Sequence, residues 1–143
     1  MKYTYPMAQE YLGQARNAER SVERMRERLI NLRMLLTDTS VHLTDMPHSD
    51  SPDLQKHESL HAEIDEMERE IAVAEKAAQE IRTEIGLAIC KISDPLSQRV
   101  MILHYLQNMS WRETASEMKF SQTQIYRFRD AGYEELERIL NAA

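Results

Sequence analysis

Residues 60–85 read LHAEIDEMEREIAVAEKAAQEIRTEI, with no glycine or proline. Apolar side chains recur at Leu60, Met67, Ala74 and Ile81 and, in between, at Ile64, Ile71, Ala78 and Ile85. Ala88 and Ile92 carry both series on. Alternating steps of three and four keep one stripe of a helix apolar, as in the a and d positions of a coiled coil. A second run lies upstream. Ala8, Ala15, Val22, Leu29 and Leu36 hold its a positions, and Tyr11, Ala18, Met25 and Leu32 its d positions.

The two runs imply helices of similar length. Between them VHLTDMPHSDSPD, residues 41–53, is rich in turn formers and is expected to be a loop, the first helix failing near Thr37–Ser40. An antiparallel hairpin follows, with a register in which paired residue numbers sum to 103. Val22 then meets Ile81, Met25 Ala78, Leu29 Ala74, Leu32 Ile71 and Leu36 Met67. Large residues face small ones in several of these layers, which suits close packing. The flanking pairs Glu19–Arg82, Arg26–Glu75 and Arg33–Glu68 are all of opposite charge.

Composition supports an all-α chain. Three glycines and four prolines in 143 residues, with 29% charged residues, suit long helices. A single cysteine excludes an internal disulfide framework and fits a reducing compartment. The N-terminal segment has no apolar signal-peptide region, and no apolar run approaches the roughly 20 residues that span a bilayer. Residues 1–90 carry 11 Lys+Arg and 17 Asp+Glu, and residues 91–143 carry 7 of each. Neither part is a basic patch, which argues against tight binding to nucleic acid by bulk charge alone.

His57-Glu58-Ser59-Leu60-His61 spells H-E-x-x-H, the zinc-protease helix. Such a site needs a third protein ligand beside both histidines. Glu80, 19 residues beyond His61, sits about 28 Å away if the helix is unbroken. His42, His48, Asp45 and Asp50 in the loop are the other candidates. No metal and no cofactor are expected, and His57 and His61 are read as wet residues near the start of the second helix. No catalytic constellation stands out, so the chain is not expected to be an enzyme. Cys90 is expected to be a small buried hydrophobe.

The punctuation changes after residue 92. Asp94-Pro95 is expected to cap and open a helix, with Leu96, Val100, Leu103 and Leu106 as its apolar face. It stops near Asn108-Met109. Ser110 caps a short helix, with Glu113 three residues on as its capping-box partner and Ala115 and Met118 inward. Ser121 caps a third, with Ile125, Phe128, Leu136 and Leu140 buried. Short helix, tight turn and longer helix make a helix-turn-helix. Trp111 is expected to pack at the helix junction. The expected domains are a helical hairpin over 1–92 and a three-helix module over 93–143.

Residues 96–138 resemble region 4 of sigma-70-type factors. The residues that carry the likeness are Arg99-Val100, Leu103, Tyr105-Leu106, Met109-Ser110-Trp111, Glu113-Thr114-Ala115, Met118, Phe120-Ser121, Ile125, Arg127, Ala131 and Leu136. The whole chain is similar to phage and prophage late-gene transcription regulators of the ArpU and RinA type, whose first helix carries a motif like Glu10-Tyr11-Leu12. One departure is Thr114, where many such modules carry Ile. The resemblance implies a sigma-like transcription regulator in the cytoplasm of a bacterial host. It binds promoter DNA, RNA polymerase or both, and forms a homodimer or higher homo-oligomer through its coiled coil. A small terminase-like packaging or scaffold protein is the alternative, since it too joins a helix-turn-helix to an oligomerising helical segment.

With Ile125 and Phe128 inward, steps of 100° turn Thr123, Tyr126, Arg127 and Asp130 outward, with Gln122 at the helix start. Gln and Arg suit bidentate contacts to base edges, and Thr a hydroxyl or methyl contact. Tyr126 has the reach for a phosphate or a thymine methyl. Arg112 and Arg129 are phosphate candidates.

Overall fold

The computed structural model describes residues 5–44 and 52–142. It is all-helical over those residues, without a strand. Helix α1 spans Pro6–Thr44 and α2 spans Pro52–Ile89, each roughly 57–59 Å long at 1.5 Å per residue. Three shorter helices follow: α3 Pro95–Met101, α4 Trp111–Met118 and α5 Gln122–Ala142. A π-helical turn, Ile102–Leu106, continues α3. Among the described residues no helix is long and apolar enough to cross a membrane.

Both long helices overrun their expected ends. Helix α1 continues past Thr37–Ser40 to Thr44, and α2 begins at Pro52. Pro52 at the first helical position loses no hydrogen bond that the helix would have made. The residues left between the helices, 45–51, lie outside the described ones, as do the candidates His48, Asp45 and Asp50; the side chain of His42 is likewise not described.

The chain folds as two compact units that are not divided at 92/93. One comprises residues 1–18 and 78–143, the other residues 19–77. The reason is packing: a lone pair of helix ends has a thin core, and the first turns of α1 and last turns of α2 are cored together with the C-terminal helices.

In the 19–77 unit, Leu29, Ile64, Met67 and Ile71 are buried, with Met25, Leu32 and Leu36 packed on them. These are the a and d residues of the heptads. Arg26 bonds Glu75 at 2.7 Å and Arg33 bonds Glu68 at 2.8 Å across the helices. Antiparallel pairing in the expected register is thereby established within this unit. The pairs are about half exposed, so they add little, and the seam carries the stability.

In the other unit, Ala8, Leu12, Ala15, Ile85, Ala88, Ile89 and Ile92 form one core with Met101, Tyr105, Tyr133 and Leu136. Leu12, outside the heptad positions, is fully buried while Tyr11 is only partly so. Here α1 is covered on more than one side, and the buried stripe widens. Glu137 on α5 accepts the backbone N–H of Ala8 at 2.8 Å, capping the first turn of α1. Gly132 lets α5 approach α3: a Cβ there would lie 2.8 Å from Met101 Cε and 3.4 Å from Ser97 Cβ. Two expected burials fail. Leu96 is on the solvent side of α3, and Cys90 is exposed in the turn after α2, where the helical periodicity no longer applies.

In a Cys90→Ala background, cysteines replacing Leu32 and Ile71 should form an intramolecular disulfide on mild oxidation. Crosslinks found only between chains on denaturing gels would show that the helices pair between molecules.

Candidate nucleic-acid interface

Each helix of the C-terminal module starts where its sequence says. Asp94 accepts the N–H groups of Leu96 and Ser97 at 3.4 and 3.3 Å, with Pro95 opening α3. Ser110 Oγ accepts the N–H of Glu113 at 3.1 Å. At α5 the box is reciprocal. Ser121 Oγ accepts from Gln124 N–H at 3.2 Å, and Gln124 Oε1 accepts from Ser121 N–H at 3.1 Å. Between α4 and α5, Lys119 turns left-handed at φ 60°, and its N–H closes the last turn of α4. That hinge sets the angle between the two helices.

A small core holds the pair. Val100, Ala115 and Ile125 are buried, with Trp111, Met118, Phe120 and Phe128 packed on them. Phe120 and Phe128 meet edge to face at 5.2 Å. Thr114 is fully buried, and its hydroxyl donates to the carbonyl of Ser110 at 2.9 Å. Its polar atom is satisfied one turn back, so the departure from Ile leaves no unpaired group.

The outward side of α5 matches the helical steps. Gln122, Thr123 and Arg127 are exposed, Tyr126 is half-buried, and Arg112 is exposed at the start of α4. Arg129 differs. Its guanidinium lies 4.6 Å over the Tyr126 ring and 5.3 Å from the Trp111 ring centroid, and its Nε bonds Asp130 at 3.0 Å. The charge is held against the module by ring faces and a carboxylate, with the side chain 27% exposed. The structure thus groups Gln122, Thr123, Tyr126 and Arg127 on one side of α5, and ties Arg129 to Tyr126 beneath them. Lys119, absent from the sequence-based candidates, adds an exposed cation in the turn before α5.

One buried polar group has no sequence signature. His104 lies in the π-helical turn, where Gln107 N–H bonds the carbonyl of Ile102, one residue further back than in an α-helix. The extra residue lets Leu103, His104 and Tyr105 all turn inward. Trp111 stacks on the His104 ring at 3.5 Å with 11° between planes, so it does pack at the junction. His104 Nδ1 is 2.7 Å from the carbonyl of Met109 and therefore carries the proton; Nε2 accepts from Arg16 Nη1 at 3.1 Å. Burial lowers the His104 pKa to about 4, and the Arg16 and Arg129 charges act in the same direction. Tyr105 and Tyr133 join hydroxyls nearby, and burial raises both pKa values. Among the described residues no buried side-chain nitrogen or oxygen lacks a partner.

The H-E-x-x-H residues sit elsewhere. His57 and His61 are neighbours on α2, their rings 4.7 Å apart, and α2 runs unbroken through Glu80. Among the described residues no three His, Cys, Asp or Glu side chains are grouped to hold a metal. No protein-family model, curated protein or solved structure matches this chain.

Between pH 6.5 and about 4 the unfolded chain takes up a proton at position 104 that the folded chain refuses. The stability that neutral His104 contributes is complete above about pH 6.5, falls as pH drops, and levels below pH 4. The unfolding free energy of wild type minus that of His104→Gln should fall by up to about 3 kcal/mol as pH drops across that window. A pH-independent difference in denaturant titrations would refute it.

Proposed function

We propose that this chain is a phage-type transcription regulator that binds promoter DNA through α5. The observation that carries this is the outward group of exposed Gln122, Thr123 and Arg127 with half-buried Tyr126, on a helix whose other side is fixed by buried Ile125. Gln122 and Arg127 have the donor geometry for base edges in the major groove, and Thr123 the hydroxyl and methyl. Arg112 and Lys119 supply phosphate contacts that set the register. The role is recognition, without catalysis.

Seven acidic and seven basic residues over 91–143 leave this part of the chain neutral. Affinity of one copy is then modest, because few counterions are released. Pairing of two copies raises effective concentration, and host RNA polymerase bound beside them does the same. The 19–77 unit offers exposed Ile30, Met34 and Leu35 on α1 and Val73 on α2 for pairing.

Binding of the promoter region over a salt series, with and without polymerase, tests the proposal. Arg127→Ala should cost roughly 1–3 kcal/mol and relax preference at one base position if Arg127 reads a base. If it meets only phosphate, the loss should be equal on all sequences and the salt slope should shrink by about one. Unchanged binding by the folded Tyr126→Ala/Arg127→Ala double variant would remove α5 from the interface. A ring oligomer with no sequence preference would point to DNA packaging instead.

A further inference from the structure

Five side chains run in an unbroken line from α1 to the outward side of α5. Arg16 Nη1 meets His104 Nε2 at 3.1 Å, the His104 ring stacks on Trp111 at 3.5 Å, and the Arg129 guanidinium lies over the rings of both Trp111 and Tyr126, 5.3 and 4.6 Å from their centroids. Trp111 also meets Tyr126 edge to face at 6.4 Å. Tyr126 is the next residue before Arg127 on the proposed reading side. We infer that Arg16 and His104 are positioning residues for DNA recognition, through which helix α1 sets the pose of α5.

Each contact is directional. The imidazole has one acceptor nitrogen, Nε2, because Met109 holds the proton on Nδ1. Arg16 is the donor that suits it, and it fixes the ring plane against which Trp111 stacks. The indole in turn bounds the space that Arg129 shares with Tyr126. The charged groups facing His104 are Arg16 from α1 and Arg129 from α5, both cations, and they keep the ring neutral and able to accept. Removing Arg16 leaves a buried acceptor unpaired, so the ring must reorient or take up water. Reorientation of the ring breaks the 3.5 Å stack on Trp111. A change in α1 is therefore felt at Tyr126 and Arg127 without Arg16 touching DNA.

This role rests on DNA recognition by α5, whereas the mechanical link does not. The test uses the full chain in three forms: wild type, Arg16→Ala and Arg16→Lys. Backbone amide resonances of Tyr126 and Arg127, and the titration of His104, are followed by NMR without DNA. Duplex binding is then measured over a salt series. In Arg16→Ala the α5 resonances should move, the His104 pKa should rise, and affinity should fall roughly threefold to thirtyfold with the salt slope unchanged. Lysine should restore part of each. Unmoved α5 resonances would overturn the link, whatever DNA does. Moved resonances with unchanged affinity would overturn the positioning role. A salt slope lowered by about one would make Arg16 a phosphate contact instead. Failure of the wild type to bind any duplex would defeat the DNA reading, and the positioning role with it, while the resonances still decide the link.

Discussion

The first turns of α1 and the last turns of α2 bury their apolar stripe only because α3, the π-helical turn and α5 complete the core. Ala8, Leu12, Ala15, Ile85 and Ile89 share one cluster with Met101, Tyr105, Tyr133 and Leu136. Two helices side by side cannot shield residues that lie off their common seam. Leu12 lies off that seam and is nonetheless fully buried. Burying a leucine is worth about 2 kcal/mol by apolar area. The C-terminal helices are thus part of the fold of residues 1–18 and 78–92, and the compact unit runs across the chain's apparent punctuation at residue 92.

That shared core brings polar groups with it, and each is satisfied. The Glu137 carboxylate takes the orphan N–H of Ala8, Asp94 takes the hydroxyl of Ser97 at 2.9 Å, and His104 is bonded at both ring nitrogens. Unpaired buried groups cost about 1–3 kcal/mol each, so these contacts select one packing more than they add stability. His104 is the most demanding of them. It has to stay neutral between two cations, Arg16 and Arg129, and burial together with their charge keeps it so.

Electrostatics shapes the recognition side in a different way. With no net charge to draw it onto DNA, the module would depend on local donors for the proposed contact. Arg127 is exposed, whereas Arg129 packs against Trp111, Tyr126 and Tyr133 and is partnered by Asp130. Two arginines two residues apart on one helix therefore have different jobs, since 200° of rotation separates them.

Local rules determined much of this protein from sequence alone. The heptads at Leu29, Leu32, Ile64, Met67 and Ile71 and the charges at Arg26–Glu75 and Arg33–Glu68 specify the hairpin and its register, because each depends only on helical periodicity and on which residues then face one another. Asp94-Pro95, Ser110 and Ser121 mark the three short helices, because caps act within a few residues. Thr123 and Arg127 on the open side of α5 follow from 100° steps. Only tertiary structure decided the rest. A π-helical turn is not written in ILHYL, and without it His104 has no reason to face Trp111. Leu12 is buried and Leu96 exposed according to what covers each helix, a fact of distant chain segments, and Cys90 is exposed because α2 ends at Ile89. Arg16 and His104 are 88 residues apart, and no local pattern pairs them; their bond exists because burial leaves the imidazole one acceptor to satisfy and brings one guanidinium within reach of it.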